Sequence, residues 1–160
     1  MPTMTAKDAC ELLDADHIAV KHLFVEYARQ AVALSRETAT ERAAIAQRIC
    51  EELTVHAQIE EEIFYPAVRK AVPDAGELLD EAGQEHAQVK AMVAEIQAME
   101  TADAAMDELV AKLAAAVEHH VKEERDELFP KAKAAAKLDL VALGAQLRER
   151  QEALQASQAA

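Results

Sequence analysis

Apolar residues recur at three- and four-residue steps through four long stretches of this chain, with charged residues filling the positions between. That spacing gathers side chains on one face of an α-helix. The first stretch, from about Ala6 to Ser35, aligns Leu13, Val20, Phe24 and Ala31, and Thr5 stands where a cap is expected, with Asp8 three residues on. The second, from about Ala39 to Val72, aligns Ile45, Ile49, Leu53, Ile63 and Ala67. Pro73 and Asp74 then break the pattern, and Asp74 with Glu77 reads as the cap of a third helix carrying Leu79, Ala82, Val89, Val93 and Ile96. A short link at Thr101-Ala102-Asp103 opens a fourth helix with Met106, Leu109, Leu113, Val117 and Leu128. A last stretch, about Asp139 to Ala156, reads as a fifth helix through Leu140, Leu143, Leu147 and Leu154, weakened by Gly144. The links are short, so neighbouring helices are expected to run antiparallel. The expected fold is all-α: an antiparallel up-down four-helix bundle over residues 1–136, with an additional C-terminal helix and tail, 137–160, packed on or extending from the same domain.

Composition agrees with this. Half of the residues are apolar, Gly appears only 3 times, and strong helix formers dominate. A net charge of −13 argues against a nucleic-acid partner, because phosphate neutralisation needs clustered Lys and Arg. It argues equally against an anionic membrane surface. No apolar run approaches the roughly 20 residues of a membrane span. Met1 to Glu11 has no apolar stretch and no basic opening, so no signal peptide is visible and a cytoplasmic location is expected. The 2 cysteines, Cys10 and Cys50, form no Cys-x2-Cys motif and are expected to be free thiols, with Cys50 a packing residue.

The chemistry lies in a repeat. His56-x3-Glu60-x5-Pro66 recurs as His120-x3-Glu124-x5-Pro130. A His and a Glu four apart share one helix face, so each pair offers a nitrogen and a carboxylate to one centre. A fainter repeat precedes each pair: DHIAVK around His17 and EHAQVK around His86. All six residues fall inside the apolar stripes. Burying Glu60 and Glu124 without partners costs several kcal/mol each, and no Lys or Arg lies at their level to neutralise both. Metal cations solve that problem. His17, His56, Glu60, His86, His120 and Glu124 are therefore the candidate metal ligands.

These blocks, HAQIEEEIFYP and HVKEERDELFP with the single histidines His17 and His86, resemble the hemerythrin-like, or HHE cation-binding, family over about residues 10 to 131. The resemblance implies two non-haem iron ions inside an antiparallel four-helix bundle. Oxygen carriers of that family have a second His four residues after the third-helix His, where this chain has Lys90. They also carry an Asp five residues after the last His; here Arg125 holds that place and Glu124 stands one earlier. If Glu60 and Glu124 bridge the pair, with His17 and His56 on one iron and His86 and His120 on the other, an oxo or hydroxo bridge gives each iron five ligands. Each octahedral iron then keeps about one open position. That favours binding of, or reaction with, dioxygen, peroxide or nitric oxide, including oxidase- or peroxidase-type activity. The alternative is a non-enzymatic oxygen, iron or redox sensor, or an oxygen-binding protein, acting through a partner. Ferritin-type storage needs Glu-x2-His, and no His here has a Glu three residues before it. Zinc accepts the same donors, but a paired six-ligand site suits iron or manganese better.

Other residues have bland and functional readings side by side. His22 and His119 are expected to point off the ligand face. Tyr27 and Tyr65 are boundary residues by default and metal-centre contacts in the sharper reading. Asp16 and Glu85 adjoin His17 and His86 and are candidate imidazole acceptors. Glu61, Glu62 and Glu123 read as a solvated acidic rim.

Overall fold

The computed structural model describes residues 7–32 and 38–159. Four helical columns form an antiparallel up-down bundle, and a fifth helix lies on its outside. The columns are α1 (Ala9–Val32); α2 (Ala39–Ile59), which runs through a π-helical turn, Glu60–Phe64, into α3 (Tyr65–Ala71); α4 (Gly76–Gln97); and α5 (Ala104–Glu123), which runs through a second π turn, Glu124–Leu128, into α6 (Phe129–Ala134). The outer helix is α7 (Leu140–Ala159), packed on α1, α2 and the first π turn. Among the described residues there is no strand, and no helix is long and apolar enough to cross a membrane.

The prolines explain the π turns. Pro66 and Pro130 lack an N–H and would clash with the carbonyl four residues back in a continuous α-helix. Each column widens by one residue just before its proline, so that Tyr65 N–H bonds to the Glu60 carbonyl and Phe129 N–H to the Glu124 carbonyl, five residues back. Each proline is thus accommodated by a local π turn, with the chain helical to Ala71 and Ala134.

Cap chemistry differs from the expectation at the start of α4. Asp8 caps α1: its Oδ1 accepts from Glu11 N–H at 2.9 Å and Glu11 Oε1 accepts from Asp8 N–H at 3.2 Å, a reciprocal capping box. Thr5 lies outside the described residues, as do the expected ends of the first helix at Ala6 and Ser35. Asp74 does not cap α4. Pro73–Ala75 forms a 3-10 turn, and the exposed Asp74 carboxylate accepts from Lys131 Nζ at 3.4 Å instead. Asp103 caps α5 through Met106 N–H at 3.0 Å.

The interior has two apolar cores with a polar layer between them. One end is built from Leu13, Ile59, Phe64, Val68, Leu79, Phe129 and Leu147. The other is built from Val20, Tyr27, Ile49, Cys50, Val93, Met106 and Leu113. Both cysteines are free and buried, and burial pushes the thiols up to about 12 at Cys10 and about 11 at Cys50. At the far end Tyr27 donates to Asp107 Oδ1 at 2.7 Å, and the buried Arg42 pairs with the same carboxylate at 2.5 and 2.6 Å. Tyr27 is therefore a core residue of that end, not a contact of the polar layer. Gly144 serves close packing: a Cβ there would lie 2.6 Å from the Lys7 carbonyl oxygen, so α7 sits against the start of α1 only because the side chain is absent.

Candidate metal centre

The polar layer consists of His17 from α1, His56 from α2, Glu60 from the first π turn, His86 from α4, His120 from α5 and Glu124 from the second π turn. All are buried, with Glu60 0 % and Glu124 1 % exposed. Helical phasing turns each imidazole inward, and the antiparallel columns bring the four rings to one level. His17 and His56 meet edge to face with ring centroids 4.8 Å apart, and His86 and His120 do the same at 4.8 Å. His17 Nε2 lies 3.1 Å from Glu124 Oε1, and His56 Nε2 lies 3.1 Å from Glu60 Oε1. On the other side His86 Nε2 lies 3.2 Å from Glu60 Oε1, and His120 Nε2 lies 3.4 Å from Glu124 Oε1. Each carboxylate thus faces one imidazole from each pair.

These approaches place donor atoms together without satisfying them. His17 Nε2, His56 Nε2, both Glu60 oxygens and Glu124 Oε1 have no well-formed hydrogen bond among the described residues. Buried polar atoms in that state cost about 1–3 kcal/mol each, more if charged. One group of ligand atoms within 4.8 Å comprises His17, His56, Glu60 and Glu124, and another comprises Glu60, His86 and His120. Glu60 belongs to both. Imidazole and carboxylate donors converging on two adjacent points fit a pair of divalent or trivalent cations.

The buried imidazoles and carboxylates shift one another's protonation. Burial would lower the His56 pKa, but the Glu60 and Asp16 carboxylates outweigh it and hold the ring well above the ordinary range. His86 is likewise raised by Glu60 against the effect of burial. Burial and the His56 charge push His17 down to about 4. Glu124 is driven well above the usual carboxylate range by burial and by the Glu60 charge, whereas His56 holds Glu60 ionised against burial.

Tyr65 joins this layer. Its hydroxyl donates to Glu124 Oε2 at 3.0 Å and lies 3.2 Å from both His86 Nε2 and His120 Nε2. An α-helix would put it about 140° round from Glu60. The π turn restores it to the same face. Its counterpart in the repeat is Phe129, which stacks on His17 with centroids 6.0 Å apart and planes 8° apart. The two halves of the site therefore differ, one having a phenol and the other a phenyl ring.

Outside the cluster, each imidazole turns Nδ1 to a carboxylate. His17 faces Asp14 (3.3 Å), His56 faces Asp16 (3.0 Å), His86 faces Glu61 (3.2 Å) and His120 faces Glu85 (2.8 Å). Such contacts set ring orientation and leave Nε2 for the interior. Asp16 and Glu85 thus serve His56 and His120 on neighbouring helices, not the histidines beside them in sequence. Glu61 is an orienting group and not merely part of the rim. Each carboxylate is held in turn: Asp14 by Arg125 Nε (2.6 Å), Asp16 by Gln151 Nε2 (3.0 Å), Glu61 by Lys90 Nζ (2.6 Å) and Glu85 by His119 Nε2 (3.3 Å). His22 and His119 are exposed and outside the cluster.

Above the four imidazoles is a cavity of about 30 Å³ walled by Val20, Leu53, Ala57, Val89, Val117 and Val121. About 10–15 Å³ admits one water-sized molecule, so the space matches a molecule of two or three atoms.

The bundle and its His/Glu cluster define a helical metal-binding domain. The hemerythrin HHE cation binding domain model matches residues 8–132, and the chain belongs to that family. Among solved structures, a hemerythrin HHE cation binding domain-containing protein from Mycobacterium kansasii is similar, with 24% identity, 94% of this chain and 89% of that chain covered, and a TM-score of 0.76. No curated protein matches the sequence significantly.

Proposed function

We propose that this protein holds a non-haem di-iron pair and binds or reacts with a small neutral oxidant: dioxygen, peroxide or nitric oxide. His17 and His56 would hold one iron and His86 and His120 the other, with Glu60 and Glu124 shared between them. The Tyr65 hydroxyl lies 3.2 Å from the Nε2 atoms of His86 and His120, the pair that would hold the second iron. When bound in the diferrous state, an iron pair would supply two electrons, enough with two protons to reduce one hydrogen peroxide to two waters.

The observation that carries the reading is the 30 Å³ cavity directly over the four imidazoles. Its valine, leucine and alanine walls present an apolar surface that favours a small neutral molecule over an ion. Its volume matches a small molecule. The Tyr65 proton stays on its oxygen, because burial and the Glu60 and Glu124 charges raise its pKa well above the ordinary value. Tyr65 does not line the cavity, so its role is to orient Glu124 from beneath.

Metal analysis with absorption spectroscopy tests the reading. About two irons per chain and oxidation by peroxide of the reduced protein are expected. A folded protein without affinity for iron would overturn it. A second reading, a sensor acting through a partner, draws on the contact between α7 and Asp16. Steady-state peroxide turnover separates the two, since a sensor oxidises once and stops.

A further inference from the structure

Three of the four groups that anchor the outer carboxylates, Arg125, Lys90 and His119, belong to the bundle itself. The fourth does not. Gln151 lies on α7 and reaches Asp16 from 135 residues away, its amide nitrogen 3.0 Å from each carboxylate oxygen. Asp16 Oδ2 in turn accepts from His56 Nδ1 at 3.0 Å. We infer that Gln151 is a positioning residue through which the docking of α7 sets the metal affinity of one half of the centre, the half held by His17 and His56. This rests on the metal-binding reading above.

The physical argument has three parts. A carboxylate that orients a ligating imidazole contributes about 10- to 100-fold to metal affinity. The Gln151 amide contacts both Asp16 oxygens and so restricts rotation of the carboxylate that faces His56. And α7 is the one described element outside the bundle that touches these carboxylates, placed there by Leu143 and Leu147 in the core and by the close approach at Gly144. The carboxylates that face His86 and His120 make no such side-chain bond to α7, being held by Lys90 and His119. Breaking the Gln151–Asp16 contact therefore acts first on the position held by His17 and His56. By linkage, metal at that position must also tighten α7.

The test uses the full-length, iron-loaded protein and follows release of iron to a chelator, which resolves the two positions as two phases. Gln151→Leu should speed one phase about tenfold and leave the other unchanged. Gln151→Lys, which restores a donor to Asp16, should return it toward the wild-type rate. Arg150→Ala removes a neighbouring α7 contact, Arg150 Nε to Glu62 Oε2 at 2.8 Å, without touching Asp16, and should change neither phase more than about twofold. Hydrogen exchange supplies the reciprocal measurement: iron loading should protect α7 amides in the wild type and not in Gln151→Leu. Unchanged release in Gln151→Leu, or equal acceleration of both phases, would overturn the inference while leaving the di-iron reading standing. A wild type that holds no iron would overturn both.

Discussion

Tyr65 and Phe129 occupy equivalent places in the sequence repeat, each closing a π turn five residues beyond a buried glutamate, yet they face different halves of the site. Tyr65 donates to Glu124 Oε2 at 3.0 Å, and Phe129 stacks on His17. Tyr65→Phe removes the donor and strands a buried carboxyl oxygen, at a cost of about 1–3 kcal/mol. Denaturant unfolding of metal-free protein should show that loss. An unchanged midpoint would mean that Glu124 finds another partner.

The ligand set makes a mutational prediction. His56→Ala and His120→Ala each remove a donor from a different half of the cluster and should each lower the metal content toward one ion per chain. His22 is exposed on the far face of α1, and His22→Ala should leave the content unchanged. Elemental analysis decides. Equal loss in the His22 and His56 variants would contradict the assignment.

Metal removal should lower the melting temperature. Binding to the folded state alone stabilises it by RT ln(1 + [L]/Kd), about 4 kcal/mol at a thousandfold excess over Kd, and Glu60 and Glu124 lose their counter-charge without it. Calorimetry of metal-free and loaded protein at one pH measures the difference. Coincident transitions would count against a buried shared role for the two carboxylates.

Acidity should act oppositely on the two forms. In metal-free protein His56 and His86 have raised pKa values. Their stabilisation is complete below the unfolded histidine value of about 6.5 and is lost as pH rises through the folded values. Metal must displace those protons and the one on Glu124, so its affinity falls as pH falls. The melting-temperature gap between loaded and metal-free protein should therefore narrow from pH 8 to about pH 6. Calorimetry in buffers of different ionisation enthalpy should also detect proton release on metal uptake. A gap that stays constant on acidification would show that the clustered histidines are neutral before metal binds.

Lys90 holds Glu61 from outside and contributes nothing to the inner cluster. With no fifth imidazole, both metal positions should remain reactive. Reduced, iron-loaded protein mixed with oxygen should oxidise and stay oxidised under argon. Stopped-flow absorption is the measurement. A spectrum that vanishes on purging and returns with oxygen would establish reversible carriage instead.

Periodicity by itself determined the bundle and the convergence of His17, His56, Glu60, His86, His120 and Glu124. Residues four apart share a helix face, and a His or Glu within an apolar stripe is carried into the core with it. What only the tertiary structure decided lies off that periodicity. Tyr65 enters the centre because Pro66 forces a π turn that shifts the phase by one residue, a shift that α-helical counting places about 140° away. Asp16 and Glu85 serve histidines on neighbouring helices because adjacent residues on one helix point in different directions, so each carboxylate meets the imidazole its own neighbour does not offer. Gln151 reaches Asp16 only through the packing of α7 on α1, and that packing depends on a contact between residues far apart in sequence and on the missing side chain at Gly144. Local spacing is set by backbone geometry and can be read along the chain; these pairings depend on which helix faces meet in space, and that is decided by packing.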